Sequence, residues 1–321
     1  IQFEDSIYPP LPLLRDDEVI QQQPDQRSLT ERYVEEAVRF MREDRDTPFF
    51  LYFAHMYVHL PVYVPNRFLR ESENGAYGGA VACIDWAAGV IFHELKARGM
   101  DENTLVIFTS DNGSRVAGEG GSNAPLRGTK RTTWEGGMRL PCIMRWPAGV
   151  PAGSVCSEIA TSMDLYPTLA TLADASVPDD RTIDGRDIRA LMFAEEGAES
   201  PHDAFFYYRG NDLEAVRSGR WKLHVRKSDS ADATVDGPVS ELYDLESDVG
   251  ETSNVYADHP DVVQALTAKL KSCRSDIGDA ATGTQGKDVR PIGRVDNPDT
   301  LTHFDPEHPY IVAMYDLKER G

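Results

Sequence analysis

Asp111 and Asn112, within Ser110-Asp111-Asn112-Gly113, follow directly on the apolar run Leu105-Val106-Ile107-Phe108. A carboxylate beside an amide oxygen offers two hard ligands for Ca²⁺ or Mg²⁺. The run reads as a buried strand of an open α/β sheet. Ligands of such sheets bind just beyond the carboxyl ends of the strands. The same tetrapeptide also has the composition of a tight turn, so taken alone it leaves both readings open. Two further groups invite chemistry. His59 lies just past the apolar stretch Phe49–Ala54, and Lys130 stands between Arg127 and Arg131. A turn histidine and a solvated lysine are the plain alternatives.

The elements that must position these residues follow from periodicity. Ile1 to Arg27 is rich in Pro, Gln and Asp and reads as an extended surface connection. Ser28-Leu29-Thr30-Glu31 has the form of a capping box opening a helix to about Arg45, with Val34, Ala37, Val38 and Met41 at helical spacing. Phe49–Ala54 reads as a buried strand, with His55 a satisfied core or supporting residue at its end. Asn74-Gly75 precedes a long helical pattern that Gly99 ends. With Leu105–Thr109 as the next strand, this order implies a right-handed parallel crossover. Leu140–Arg145 is a further strand, and Asp164 caps a helix that tolerates Pro167 in its first turn. Beyond about Ser200 four short strands (Ala204–Tyr208, Ala215–Arg217, Trp221–Val225, Glu241–Leu245) form an antiparallel meander. An amphipathic helix begins at Pro260. The tail from Ser275 wraps the surface without a core of its own. The expected organisation is an α/β catalytic part over residues 1–199, a small antiparallel subdomain with one helix over 200–274, and a tail over 275–321.

The 321 residues carry 40% hydrophobic and 27% charged side chains and a net charge of −20. This is the composition of a globular protein. The acidity argues against nucleic acid as a partner, because phosphate binding needs basic surface. The sequence shows no apolar run approaching the ~20 residues that span a bilayer, so no membrane span is expected. The four cysteines are too scattered for a disulfide framework or a zinc site, and Cys83 and Cys142 read as buried free thiols.

Five separated motifs together resemble the sulfatase family, of the arylsulfatase A type. They are Phe49–His55 leading into His59-Leu60-Pro61, Ser110–Gly113, Pro125-Leu126-Arg127-Gly128-Thr129-Lys130, Thr133–Pro141 with its Glu-Gly-Gly-x-Arg-x-Pro core, and Asp164-Leu165-Tyr166-Pro167-Thr168-Leu169. The resemblance runs in order from about Pro48 to Leu245. It implies an alkaline-phosphatase-like open sheet sandwiched by helices, followed by a small antiparallel-sheet-and-helix subdomain. It also implies hydrolysis of a sulfate monoester, on a small molecule or a carbohydrate, by attack of a formylglycine hydroxyl on sulfur. Asp111 and Asn112 would hold a divalent cation, Ca²⁺ first, with Mg²⁺ as the alternative. Lys130 and His59 would contact the sulfate. Arg139 reads as structural, pairing with a carboxylate.

One departure is informative. The segments beginning at Cys83, Cys142, Cys156 and Cys273 do not fit Cys-x-Pro-Ser-Arg, and no serine supplies the variant motif that becomes formylglycine. The family's amino-terminal Asp pair and its Lys-x-x-His segment are absent too. The chain therefore reads as the carboxyl-terminal part of a longer sulfatase, inactive alone, whose partner is the amino-terminal part of the same protein. Family resemblance favours a periplasmic or secreted location. The runner-up activities are a phosphonate monoester hydrolase or phosphodiesterase of the same superfamily, and a non-catalytic relative.

Overall fold

The computed structural model describes residues 9–116, 118–228, 236–305 and 307. The chain divides into two compact units, Ile1–Asp101 with Ile292–Gly321, and Glu102–Pro291. The first eight residues of the expected extended connection and residues 308–321 of the expected tail lie outside the described residues.

In the first unit, the expected extended connection is a hairpin. β1 (Pro12–Arg15) pairs antiparallel with β2 (Glu18–Gln22), and Asp16 takes φ 52° in the turn. Alternation is blurred by a bulge at Leu13/Leu14, which is why the polar-rich segment gave no strand signal. α1 runs Leu29–Arg42 and buries Leu29, Thr30, Val34, Ala37 and Met41. The capping box expected at Ser28 does not form. A 3₁₀ turn, Gln26–Ser28, precedes the helix, so Ser28 is already helical and Asp25 accepts from Arg27 N–H instead. α2 covers Asn66–Glu71 and α3 covers Gly75–Ala97, with Gly99 at φ 68° just past its end. Arg42 grips Glu94 through two hydrogen bonds of 2.8 and 2.9 Å and so ties α1 to α3.

Two expectations for this unit change. α3 is, by length and composition, apolar enough to cross a bilayer. Its Ala80, Cys83, Ala87 and Leu95 are buried, with Ala80 and Cys83 in one cluster with Tyr57, Val64 and Phe68, while only 22% of its most apolar window is covered within the described residues. Phe49–Ala54 forms no strand ladder among the described residues. Phe50 and Tyr52 are 72% and 80% exposed, so one face of this apolar segment has no cover. The expected parallel crossover therefore has no first strand.

In the second unit, β3 (Val106–Thr109) pairs antiparallel with β4 (Cys142–Arg145), with Phe108 opposite Ile143. Ile188, Leu191 and Met192 pack with Leu105, Met144 and Leu172 as one core. Cys142 is exposed, against expectation. Cys83 is buried as read. Asp164 does cap, its carboxylate accepting from Thr161 N–H at 2.6 Å ahead of the helix Leu165–Leu172. It is fully buried and also accepts from Arg186 N–H and pairs with His202 at 2.7 Å.

The meander is present as read, with three of its four strands longer. β5 (Phe205–Arg209), β6 (Asp212–Ser218), β7 (Trp221–Ser228) and β8 (Asp236–Asp244) pair in consecutive antiparallel order. The helix that begins at Pro260 runs to Ile277 and lays Leu266, Leu270 and Cys273 on Leu213, Val216, Leu223 and Leu242. Pro260 suits the first turn because its missing N–H is one that a helix start leaves unpaired.

Candidate active site

β3 ends at Thr109, and the next residues are Ser110–Asn112. Asn112 donates its amide to the Asp111 carboxylate, and Ser110 Oγ donates to the Asn112 carbonyl at 3.3 Å. Asp111 is exposed and Asn112 half-buried at the strand's carboxyl end. A half-turn of the Asn112 amide about its last torsion sets Oδ1, rather than the nitrogen, beside the carboxylate. This pair suits a hard divalent cation but supplies two oxygens of the six to eight that Ca²⁺ takes. Among the described residues no group of three or more His, Cys, Asp or Glu side chains gathers to complete the shell.

Lys130 belongs to the same local structure. Its backbone N–H donates to the Ser114 carbonyl at 3.1 Å, so the lysine loop is bonded to the loop that carries Asp111 and Asn112. Asn123 fastens the two loops. It accepts from Ser114 N–H at 2.9 Å and donates to the carbonyls of Ser114 and Gly128 at 2.8 and 3.0 Å. Lys130 and Arg131 occupy the tip of a turn closed by Thr132. Thr132 N–H and Oγ1 both donate to the Thr129 carbonyl, at 3.0 and 2.7 Å. Arg131 sits at φ 74°, a left-handed conformation that disfavours any side chain.

The glycines of the motifs are explained by backbone approach. A Cβ on Gly113 would lie 1.8 Å from the Gly136 carbonyl oxygen. One on Gly136 would lie 2.5 Å from that of Arg127, and one on Gly137 2.3 Å from that of Thr132. Gly113 N–H reaches the Gly137 carbonyl at 3.1 Å, and Gly136 N–H reaches that of Arg127 at 2.7 Å. The loops are thus stacked main chain on main chain, which only residues without a Cβ allow.

Behind these loops lies a buried polar network that sequence reasoning missed. Glu135, Glu214, Lys222, His224 and Glu251 are each 1% exposed or less. Lys222 Nζ donates to Glu135 Oε1 at 2.9 Å and to the Thr133 carbonyl at 2.8 Å, and it lies 2.9 Å from Glu251 Oε1. Tyr207 and Arg217 also bond Glu135, at 2.8 and 3.4 Å. Burial pushes the Glu135 carboxyl up, but the Lys222 charge and the donors on it prevail and hold it below its ordinary range. Burial takes His224 down to about 4, despite its bond to Glu251. Its ring stacks on Trp134 at 4.4 Å. In sequence, Lys222 and His224 alternate with Trp221, Leu223 and Val225, which reads as a solvated strand face. The face is covered by the segment from Arg127 to Glu135. Arg139, read as a carboxylate partner, is exposed and has no carboxylate at salt-bridge distance among the described residues; Arg217 pairs with Glu135 instead.

His59 belongs to the first unit and is exposed. Its Nδ1–H donates to the Leu60 carbonyl at 2.6 Å, which leaves Nε2 as the atom able to take or give a proton. His55 is taken down to about 4 by burial. Its Nδ1 accepts from Tyr57 N–H, while its Nε2 is buried without a partner among the described residues, so it is not the fully satisfied side chain expected.

The sulfatase family model matches residues 6–175, and the model of the N-sulphoglucosamine sulphohydrolase C-terminal region matches residues 128–276. The steryl-sulfatase of Mus musculus is 36% identical over 296 residues, covering 82% of this chain and 47% of that protein. The N-acetylgalactosamine-6-sulfatase of Rattus norvegicus is 40% identical over 237 residues, covering 70% of this chain and 45% of that protein. Among solved structures, the PsFucS1 sulfatase from Pseudoalteromonas sp. superposes with a TM-score of 0.70 at 25% identity, covering 78% of this chain and 54% of that one. Ps i-CgsB, solved in complex with k-i-k-neocarrahexaose, superposes with a TM-score of 0.69 at 26% identity, covering 82% and 58%. The chain thus spans about half the length of the curated relatives it matches. With motifs, loop packing and relatives in agreement, this chain belongs to the sulfatase family and shares its alkaline-phosphatase-like fold.

Proposed function

We propose that this chain is the carboxyl-terminal part of an enzyme that hydrolyses sulfate monoesters of small molecules or carbohydrates. The observation that carries the reading is the bonding of the Lys130 loop to the Asp111–Ser114 loop at the end of β3, with Asn123 holding both. Asp111 and Asn112 would hold the divalent cation, Ca²⁺ before Mg²⁺. When bound, that cation supplies Lewis-acid stabilisation and a template for the sulfate oxygens. The nucleophile, a formylglycine, would come from the amino-terminal part of the protein.

Lys130 brings a compact point charge to the sulfate. Water excluded from the site makes that charge count for more than it would in bulk. Its main chain is held at 3.1 Å from Ser114 O, so its stem starts from a fixed point. His59, with Nδ1–H committed to Leu60 O, would deliver a proton from Nε2 to the leaving oxygen. The relatives named as sulfatases favour sulfate over phosphonate or phosphate as the transferred group.

The test uses the full-length protein co-produced with a formylglycine-generating enzyme and assayed on aryl sulfates of graded phenol pKa. Turnover is expected from the full-length protein and none from the 321-residue chain alone. Lys130→Ala should leave metal content unchanged and lower kcat by about 10²–10³. His59→Ala should hurt the substrates with the most basic leaving groups most. Asp111→Ala should lose metal and turnover together, and Asn112→Ala should lose less metal, since a neutral oxygen binds a hard cation more weakly than a carboxylate does. Wild-type rates in both the Lys130 and His59 variants would overturn this reading.

A further inference from the structure

We infer that Glu251, in the loop that follows β8, is a positioning residue for Lys130. The inference rests on the reading of Lys130 as the sulfate-contacting cation. Glu251 is fully buried and touches both ends of the segment that carries Lys130. At the far end, its Oε2 accepts from Glu135 N–H at 2.7 Å. At the near end, its backbone carbonyl accepts from Arg127 Nη1 at 2.9 Å. The Arg127 guanidinium also lies 3.7 Å from the centre of the Trp134 ring, so the two ends are stacked on each other as well as bonded to one residue.

Glu251 is itself over-determined. Its Oε1 receives Lys222 Nζ at 2.9 Å and His224 Nε2 at 3.1 Å, both from β7. It stands at φ 51°, a conformation that a non-glycine residue holds only when its surroundings insist on it. That backbone is in turn braced by Glu251 N–H donating to the Asp248 carbonyl at 3.1 Å. The conformation lets one residue offer its carbonyl to Arg127 and its carboxylate to Glu135. The loop from Arg127 to Glu135 is therefore anchored at both ends to the carboxyl-terminal sheet and, at its middle, to the Asp111 loop through Lys130 N–H. With its ends pinned, the turn tip carrying Lys130 has few ways to move. A lysine meant for a transferring sulfuryl group needs such pre-organisation, since small displacements of a catalytic charge are costly.

The test compares Glu251→Gln and Glu251→Ala with Asp248→Asn. The Asp248 carboxylate accepts from Thr252 and Ser253 N–H in the same loop but does not touch the Lys130 segment, and Asp248→Asn leaves in place the backbone carbonyl that accepts from Glu251 N–H. Two readouts are taken. Hydrogen exchange in the full-length protein follows the Lys130 and Gly136 amides. Steady-state kinetics of the full-length, formylglycine-bearing protein follows kcat and KM on an aryl sulfate. Expected are exchange at both amides at least tenfold faster in Glu251→Gln, faster again in Glu251→Ala, and unchanged in Asp248→Asn. The kinetics should show kcat falling about tenfold or more with KM little altered in the Glu251 variants, and wild-type kcat in Asp248→Asn. Unchanged exchange at Lys130 and Gly136 in Glu251→Gln overturns the inference, and so does a kcat loss no greater than that of Asp248→Asn. If the wild-type full-length protein turns over no sulfate ester, the sulfatase reading fails while the exchange result still decides the clamp.

Discussion

Lys222 is the residue on which the interior of the carboxyl-terminal sheet depends. It is a fully buried ammonium between the carboxylates of Glu135 and Glu251, and its Nζ lies 4.1 Å from the centre of the Tyr207 ring. Removing one member of such a set leaves the others charged and uncompensated, so Lys222→Met is expected to destabilise the chain by about 3–5 kcal/mol, read from denaturant midpoints. His224 gives the pH dependence its sign. Its folded pKa of about 4 lies below the ordinary 6.5. Between those values the unfolded chain binds a proton that the folded chain refuses. Stability is therefore greatest above pH 6.5 and falls as the pH drops toward 4, by on the order of 3 kcal/mol from this residue. His55 acts in the same direction. Glu135, held below its ordinary 4.5, loses its contribution only at still lower pH. His224→Gln should flatten the decline between pH 6.5 and 4 in a thermal-melt series, while a slope equal to wild type would show that His224 is not its source.

Elements here are limited by how closely backbones approach. Gly136 is the second residue of α4 (Glu135–Met138), and no Cβ fits between it and the carbonyls of Arg127 and Gly128. Gly136→Ala is expected to push the Lys130 loop off the Asp111 loop, with a lowered melting temperature and faster exchange at Gly113 N–H. Gly89 is the contrast. It lies exposed inside α3, and an added Cβ meets nothing within 4 Å. Gly89→Ala should stabilise the chain by about 0.5–1 kcal/mol, because alanine gives up less backbone freedom in a helix. Opposite shifts in melting temperature from the same substitution would separate packing from propensity.

For the molecule as a whole, the informative surfaces are apolar and uncovered. Phe108 and Ile143 face each other across β3 and β4 and are 46% and 63% exposed. In the first unit, Phe50 and Tyr52 are exposed on a segment that joins no strand ladder among the described residues. Exposed apolar residues of this kind mark surfaces that another piece of protein covers. On the reading given under Proposed function, the amino-terminal part of the protein would be that cover. The 321-residue chain should then bind a hydrophobic dye and self-associate with rising concentration, and Phe108→Ser with Ile143→Thr should reduce both. Equal dye binding by the double variant would count against this assignment of the surface.

Much of this organisation was legible in the residues alone. The long periodic helices, the meander and the helix that starts at Pro260 follow from spacing, because burial of one face dictates the pattern and punctuation by Gly and Pro sets the ends. The motif residues around Asp111 and Lys130 were legible only through the joint resemblance of five separated motifs to the sulfatase family, because each alone reads equally well as a turn or a solvated surface group. What only the tertiary structure decided depends on partners distant in sequence. Glu251 meets Glu135 across 116 positions, and nothing local to either announces it. Lys222 and His224 have the alternation of a solvated face and became interior only because the Arg127–Glu135 segment lies over them. Phe49–Ala54 has the composition of a buried strand, yet a strand exists only where a neighbour accepts its hydrogen bonds, and composition does not supply one.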